Sequence, residues 1–367
     1  MQDLQYDASE DATGVTAWID LASPSHPFLF ASLARGLDIT CRTTVREKTE
    51  TVDLAHVSGL DPTVLGRDFD NPHLRKLGIP LRTLQLTTQA PSADVSLSAR
   101  NAMCILASRM KGIPSIHFTD NDVTAHTDGL YAERLYNRLE ASATHTLVPS
   151  AFDQSALGNH RRHEYRIHTY DGYKEDVYLG DFTPNPRFRD RLPVDEYVVI
   201  RPEALSAAYV DAGESIVPEL ISLFSQRGYD VIYLPRGRSD ETSVDPSDEA
   251  NVFVPETALD GRELAWHARC VLTGSGTMAR EAACMGKPAV SFFPNTPLSV
   301  DQELIDAGRI FHSRNPRAIV QYVEDSSRTT RTGNLERSQN VREEVIDIVD
   351  ALIRDLTQAD MNGGSKR

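Results

Sequence analysis

A chain of 367 residues exceeds the size at which one hydrophobic core usually stops growing, so two domains of roughly 150 to 200 residues are expected, and 40% hydrophobic content supplies both cores. No apolar run approaches the ~18 residues a bilayer span needs, and the opening MQDLQYDASEDATG is acidic rather than basic then apolar; a soluble, cytoplasmic protein is expected, with peripheral membrane contact left open. The net charge of -15, with Lys only at positions 48, 76, 111, 174, 287 and 366, argues against broad nucleic-acid binding and suggests a salt-loving host.

From about Val15 short apolar runs alternate with longer amphipathic ones, the rhythm of a parallel α/β sheet. TAWIDLA (16 to 22), DITCRTT (38 to 44), PTVLGRDF (62 to 69), ADVSLSA (93 to 99), PSIHFTD (114 to 120) and THTLVPS (144 to 150) read as strands. Segments such as PFLFASLARGL and ARNAMCILASRMKG read as helices between them, and six strands fit one doubly wound domain. The pattern weakens between about 151 and 193, where Pro184, Pro186 and Pro193 suggest an inter-domain segment over about 160 to 193. It restarts with EYVVIRPE (196 to 203), a helix around VPELISLFSQRG, DVIYLPRG (230 to 237), NVFVPE (251 to 256), ELAWHARC, VLTG, a further helix and PAVSFFP (288 to 294). Domains over 15 to 193 and 194 to 335 follow. A C-terminal amphipathic helix is expected over 336 to 357, with Val341, Val345, Ile348 and Leu352 at helical spacing, and disordered tails at 1 to 14 and 358 to 367.

Cys41, Cys104, Cys270 and Cys284 form no CxxC pair and have no His at metal spacing, so neither zinc nor a disulfide framework is suggested. DNDV at 120 to 123 lacks the spacing of an EF-hand loop and is weak evidence for a metal. No metal site is expected.

In parallel α/β sheets ligands sit beyond the carboxyl ends of the strands. The residues there are polar: Asp20, Ser25 and His26 after the first strand; Ser98 and Arg100; His117, Asp120 and Asn121; Arg201 and Glu203; Arg236 and Arg238; and Gly274 to Thr277. The turn Gly274, Ser275, Gly276, Thr277 lets backbone approach a ligand, and the helix it opens points free N–H groups at it. Arg201 and Arg236 supply charge for a diphosphate, and Glu281 suits ribose hydroxyls. The competing reading is a tight βαβ connection with Thr277 as a helix cap and Arg280 and Glu281 on the surface; GxxxxGK[ST] is lacking. His26, held between Pro24 and Pro27, is a candidate general base or an incidental loop residue, and His117 and Asp120 are similar candidates. His160 and His163 read as solvated surface.

WIDLASPSHPFLF, GIPSIHFTDND at 112 to 122, YDGYKEDVYL at 170 to 179, VVIRPEALSAAY at 198 to 209 and LTGSGTMAREAACMGKPAVSFFP together resemble an uncharacterised, mainly archaeal family, domain of unknown function 354. That family is in turn similar to GT-B glycosyltransferases and UDP-N-acetylglucosamine 2-epimerases. The resemblance implies two Rossmann-like, doubly wound parallel-sheet domains facing across a cleft. It carries diphosphate contacts over to Ser275, Gly276 and Thr277, ribose binding to Glu281 and an Arg to Arg201. Ser25, His26 and the loop from His117 through Asn121 to Asp122 would face the acceptor or sugar. The epimerases' consecutive Glu pair is absent, since Arg280 precedes and Ala282 follows Glu281, and SPSHP replaces their first-loop Arg-Pro-Glu. The expectation is a GT-B-type glycosyltransferase transferring a hexosyl or N-acetylhexosaminyl group, with the nucleotide-sugar as substrate, no cofactor, and His26 or Asp120 as base. A nucleotide-sugar epimerase and a non-catalytic binding protein are the alternatives.

Overall fold

The structure, a computed structural model, describes residues 14–47, 49–67, 72–127, 129–158, 166–203, 215–235, 251–257, 259–326 and 333–363. It divides into two compact units, one of residues 1–178 with 340–367 and one of residues 179–339.

The first unit holds strands β1 (Thr16–Leu21), β2 (Thr40–Glu47), β3 (Pro62–Arg67), β4 (Val95–Ala99), β5 (Ser115–Phe118), β6 (His145–Pro149) and β7 (Ile167–Tyr170). They pair in parallel in the order β3-β2-β1-β4-β5-β6-β7. Central strands of such a sheet are covered on both faces and read as continuous apolar runs. Ala17, Trp18, Ile19 and Leu21 of β1 are accordingly all buried. The Trp18 indole N–H donates to Thr44 Oγ1 on β2 at 2.9 Å, so the polar end of this large core side chain is satisfied one strand over.

Strand β7 lies in the stretch read from sequence as irregular. It is an edge strand of four residues whose first three are only half-buried or exposed, so it needs no apolar run, and its position is fixed by pairing of Thr146 to Pro149 with Ile167 to Tyr170.

The second unit holds β8 (Tyr197–Arg201), β9 (Asp230–Tyr233), β10 (Val252–Phe253), β11 (Cys270–Thr273), β12 (Ala289–Ser291) and β13 (Phe311–His312), parallel in the order β10-β9-β8-β11-β12-β13. Val198, Ile200, Val231 and Leu272 from the sheet form one core with Leu220 and Phe224 of helix Val217–Ser225 and Ile319 and Val323 of helix Pro316–Ser326. Strand β13, two residues long, carries too little pattern to be read in advance.

In each sheet the strand order reverses next to the first strand, between β1 and β4 and between β8 and β11. These are topological switch points, where the loops part and leave room for a ligand.

The C-terminal helix, Glu336–Gly363, packs from residue 340 onward with the first unit. Val341, Val345, Val349, Leu352 and Ile353 are buried. Arg342 donates to the Ser32 hydroxyl at 2.9 Å and to the Ser32 carbonyl at 3.0 Å. Gly36 and Gly172 leave the space that Ile346 and Val341 fill; a Cβ at either would overlap them.

Candidate functional site

At the switch point of the first unit, Asp20, next to last in β1, is a structural carboxylate rather than a ligand-facing one. Its Oδ1 accepts from Thr44 at 2.6 Å and Arg82 at 2.7 Å, and its Oδ2 from Asn101 Nδ2 at 2.8 Å. Asn101 also accepts the Cys104 N–H and so caps helix Ala102–Lys111. Burial raises the Asp20 pKa even with the Arg82 charge beside it.

His26 opens helix His26–Gly36 and is buried. Its Nδ1 accepts the Ala22 N–H at 3.2 Å, which leaves Nε2 carrying the proton in the neutral ring. Burial, and secondarily the Lys174 charge, push its pKa down to about 3, while the nearby Asp120 works in the opposite direction. Ser25, at the helix N-cap, is half-buried and makes no side-chain capping bond.

Arg100 directly follows β4 with φ 41, the one positive-φ residue other than glycine among the described residues. That conformation is costly for a long side chain and persists only when its surroundings fix it. Helix Tyr131–Glu140 does so. Glu140 and Asn137 hold Nη1 at 2.6 and 2.9 Å, Glu133 holds Nη2 at 3.1 Å, and the Tyr136 ring lies 5.2 Å below the guanidinium. The Tyr136 hydroxyl also donates to the Arg100 carbonyl at 3.1 Å. These four residues recur at i, i+3, i+4 and i+7, one helix face.

His117, on β5, joins the same network: Nδ1 is 2.9 Å from the Ser98 hydroxyl and Nε2 is 3.3 Å from Glu140. Asp120 accepts from the Lys174 ammonium at 2.8 Å, with both groups buried. Asn121 accepts the Val123 N–H and Asp122 the Asp153 N–H, so the DNDV residues serve separate partners. Lys174 opens helix Lys174–Leu179 and was assigned no role from sequence. One of only six lysines, within the family-matching block YDGYKEDVYL, it carried a usable signal in its rarity.

At the switch point of the second unit, the Gly274 N–H donates to the Arg201 carbonyl at 3.0 Å, and Thr273 Oγ1 accepts the Ser275 N–H at 3.0 Å. Helix Gly276–Cys284 starts after Ser275, which gives no side-chain cap, and Ser275, Gly276 and Thr277 are half-exposed. The first-turn N–H groups are therefore left without a side-chain cap. Arg201 is half-buried at the end of β8, paired in register with Thr273.

The two glycines of the turn answer first to the protein's own packing. A Cβ on Gly274 would lie 2.5 Å from Glu203 Cγ and 2.6 Å from Glu203 Cα, and one on Gly276 would overlap the Arg280 guanidinium. Glu203 is buried, accepting from Ser215 at 2.6 Å and from Arg314 at 3.0 Å. Arg280 and Glu281, which sequence allowed to be surface residues, are both buried, Arg280 against Asp301 at 2.9 Å. The non-Glu residue at 280 is thus part of an internal ion pair. Asp301 and Arg314, partners of Arg280 and Glu203, stand in no motif that marks them in the sequence. Arg236 and Arg238, with His160 and His163, lie outside the described residues.

Two parallel sheets of this strand order, each with polar residues gathered at its switch point, define a GT-B-like α/β protein of two Rossmann-like domains. The chain belongs to the family described as Protein of unknown function (DUF354), whose model matches residues 15–354. It is 23% identical over 328 residues to the uncharacterized protein MJ0665 of Methanocaldococcus jannaschii, covering 84% of this chain and 91% of that one. Among solved structures it is similar to the UDP-GlcNAc 2-epimerase of Methanocaldococcus jannaschii in complex with UDP-GlcNAc and UDP, at TM-score 0.70 and 15% identity over 91% of this chain and 99% of that one. The UDP-N-acetylglucosamine 2-epimerase of Rickettsia bellii matches at TM-score 0.65 and 15% identity, over 94% and 98% of the two chains. The glycotransferase of kitacinnamycin matches at TM-score 0.57 and 14% identity, over 93% and 98%. At such identities the likeness is one of fold.

Proposed function

We propose that this chain is a GT-B-type glycosyltransferase using a nucleotide-diphosphate sugar, with the second unit as donor side and the first as acceptor side. The observation that carries the reading is the half-exposed start of helix Gly276–Cys284, at a switch point and without a side-chain cap, with the buried Glu281 one turn further in. Such a terminus favours an anion by its free N–H groups and partial positive charge. In this reading Ser275, Gly276 and Thr277 contact the diphosphate, Glu281 the ribose, and Arg201, with Arg236, offsets the charge that develops as the diphosphate departs.

Of the two candidate bases, the local geometry favours Asp120. The His26 Nδ1 lone pair is taken by the Ala22 N–H, which leaves the neutral ring only its Nε2–H to offer. His26 would then offer its Nε2–H to orient the acceptor hydroxyl while Asp120, positioned by Lys174 at 2.8 Å, takes the proton. Ser25, His117 and Asn121 complete the acceptor side.

Calorimetry with UDP and UDP-sugars at high salt tests the donor side; no detectable heat with any nucleotide at millimolar concentration would overturn it. The UDP-GlcNAc 2-epimerases among the structural neighbours favour a second reading, epimerisation. Incubation with UDP-GlcNAc alone, followed through its anomeric NMR signals, separates the two, because an epimerase needs no acceptor.

A further inference from the structure

Helix Tyr131–Glu140 is built inside out. Its polar face, Glu133, Tyr136, Asn137 and Glu140, turns inward to Arg100, and this leaves Tyr131 81% and Leu135 58% exposed, one turn apart on the outside. It packs beside helix Ala102–Lys111, which packs beside helix Pro72–Gln89. Those neighbours expose Met110 (64%), Leu81 (50%) and Leu84 (56%), and Met110 Sδ lies 3.6 Å from the Thr87 hydroxyl across the seam. Single exposed apolar residues are ordinary. Five on one layer of three adjacent helices call for a cover.

The charge around them indicates its nature. Among the described side chains of these helices, the exposed charged ones are Arg109, Arg134 and Arg138, all basic. The acidic Glu133 and Glu140 are tied to Arg100. From residue 71 to 119 the sequence has one acidic residue, Asp94, in a chain that carries 53. Five of the seven exposed large apolar side chains among the described residues, all but Val57 and Val64, thus lie on a layer whose exposed charged side chains are basic, in a protein of net charge -15. Basic side chains interleaved with apolar and Tyr side chains match an anionic bilayer surface, where acyl chains take the apolar groups and headgroup phosphates the guanidinium groups. No described helix is long and apolar enough to cross a membrane, so the contact is one of a protein lying on the surface.

We propose that this helical layer docks the protein on an anionic lipid bilayer. The proposal is independent of the transfer reaction above. The test is co-sedimentation of the full chain, at about 0.1 M salt, with vesicles of phosphatidylglycerol and phosphatidylcholine in equal parts and with vesicles of phosphatidylcholine alone. Expected are binding to the mixed vesicles and at least ~10-fold weaker binding to the neutral ones. Tyr131→Ser with Leu135→Ser, and separately Arg109→Glu with Arg138→Glu, are each expected to weaken binding by ~10-fold or more. All four side chains are exposed, and circular dichroism melting of each variant checks its folding. Absence of binding to the mixed vesicles, or unchanged binding by folded variants of both kinds, overturns the proposal. So does light scattering that shows a dimer which Tyr131→Ser with Leu135→Ser converts to a monomer, since the face then belongs to a second copy of the chain.

Discussion

Glu203 and Glu281 stand near the same turn, yet both Glu203 oxygens serve the protein, one accepting from Ser215 and the other from Arg314 and the Ile216 N–H. Replacing Glu203 by Ala strands those donors and is expected to cost about 1–3 kcal/mol of stability, read as a fall in melting temperature. Glu281→Gln is expected to lower the melting temperature less and to weaken UDP binding by roughly 10- to 100-fold in calorimetry, the loss of a hydrogen bond to a charged group. Gly274→Ala drives a Cβ into the Glu203 backbone and is expected to cost about 1–3 kcal/mol, and Gly276→Ala would press on the Arg280 guanidinium that Asp301 holds in place. His26 has a defined pH signature. Its folded-state pKa, near 3, lies below the ordinary 6.5, so the unfolded chain binds the extra proton between these values. The stability His26 contributes is full above pH 6.5 and is lost as pH falls towards 3, with a slope approaching about 1.4 kcal/mol per pH unit. His26→Gln should flatten that part of a denaturant-derived stability profile; an unchanged slope would place the acid sensitivity elsewhere.

At the scale of elements, helix Tyr131–Glu140 works as a clamp that holds Arg100 in an unfavourable backbone conformation just beyond β4. Tyr136→Phe removes the hydroxyl that bonds both the Arg100 carbonyl and the Ala102 N–H. It is expected to destabilise by about 1–2 kcal/mol and to raise hydrogen exchange at Ala102, the start of its helix. The strands on either side of this clamp were legible in sequence because burial on both faces writes a continuous apolar run. The clamp was not: in YAERLYNRLE the inward residues are polar, so a pattern that equates apolar with buried assigns the wrong face. The same inversion hid Lys174, a charged residue whose burial depends on Asp120, 54 positions away in the chain. The Gly274 turn was legible as a turn, but its glycines fit a tight connection and a ligand loop equally; only the position of Glu203 shows that packing alone already requires Gly274.

For the whole molecule, the alternating rhythm and its restart near residue 196 foretold two parallel sheets, whereas the short edge strands β7 and β13 owe their existence to pairing rather than to local pattern. With 53 acidic against 38 basic residues, the folded state repels itself at low ionic strength. The melting temperature is therefore expected to rise as sodium chloride is raised from about 0.1 M to 2 M, beyond the point where simple screening is complete if the host is salt-loving. A flat response would remove that expectation.

The chain leaves the first unit after Tyr178 and returns to it only at Asn340. On a ribosome the seven strands of the first sheet therefore emerge long before the helix that covers Gly36 and Gly172. At 5–20 residues per second the intervening 161 residues, 179 to 339, take roughly 8–32 s to synthesise. For that interval the first unit lacks the helix whose Val341 and Ile346 fill the space beside Gly172 and Gly36. Synthesis of the C-terminal helix, rather than completion of the sheet, is then the event that closes the first unit.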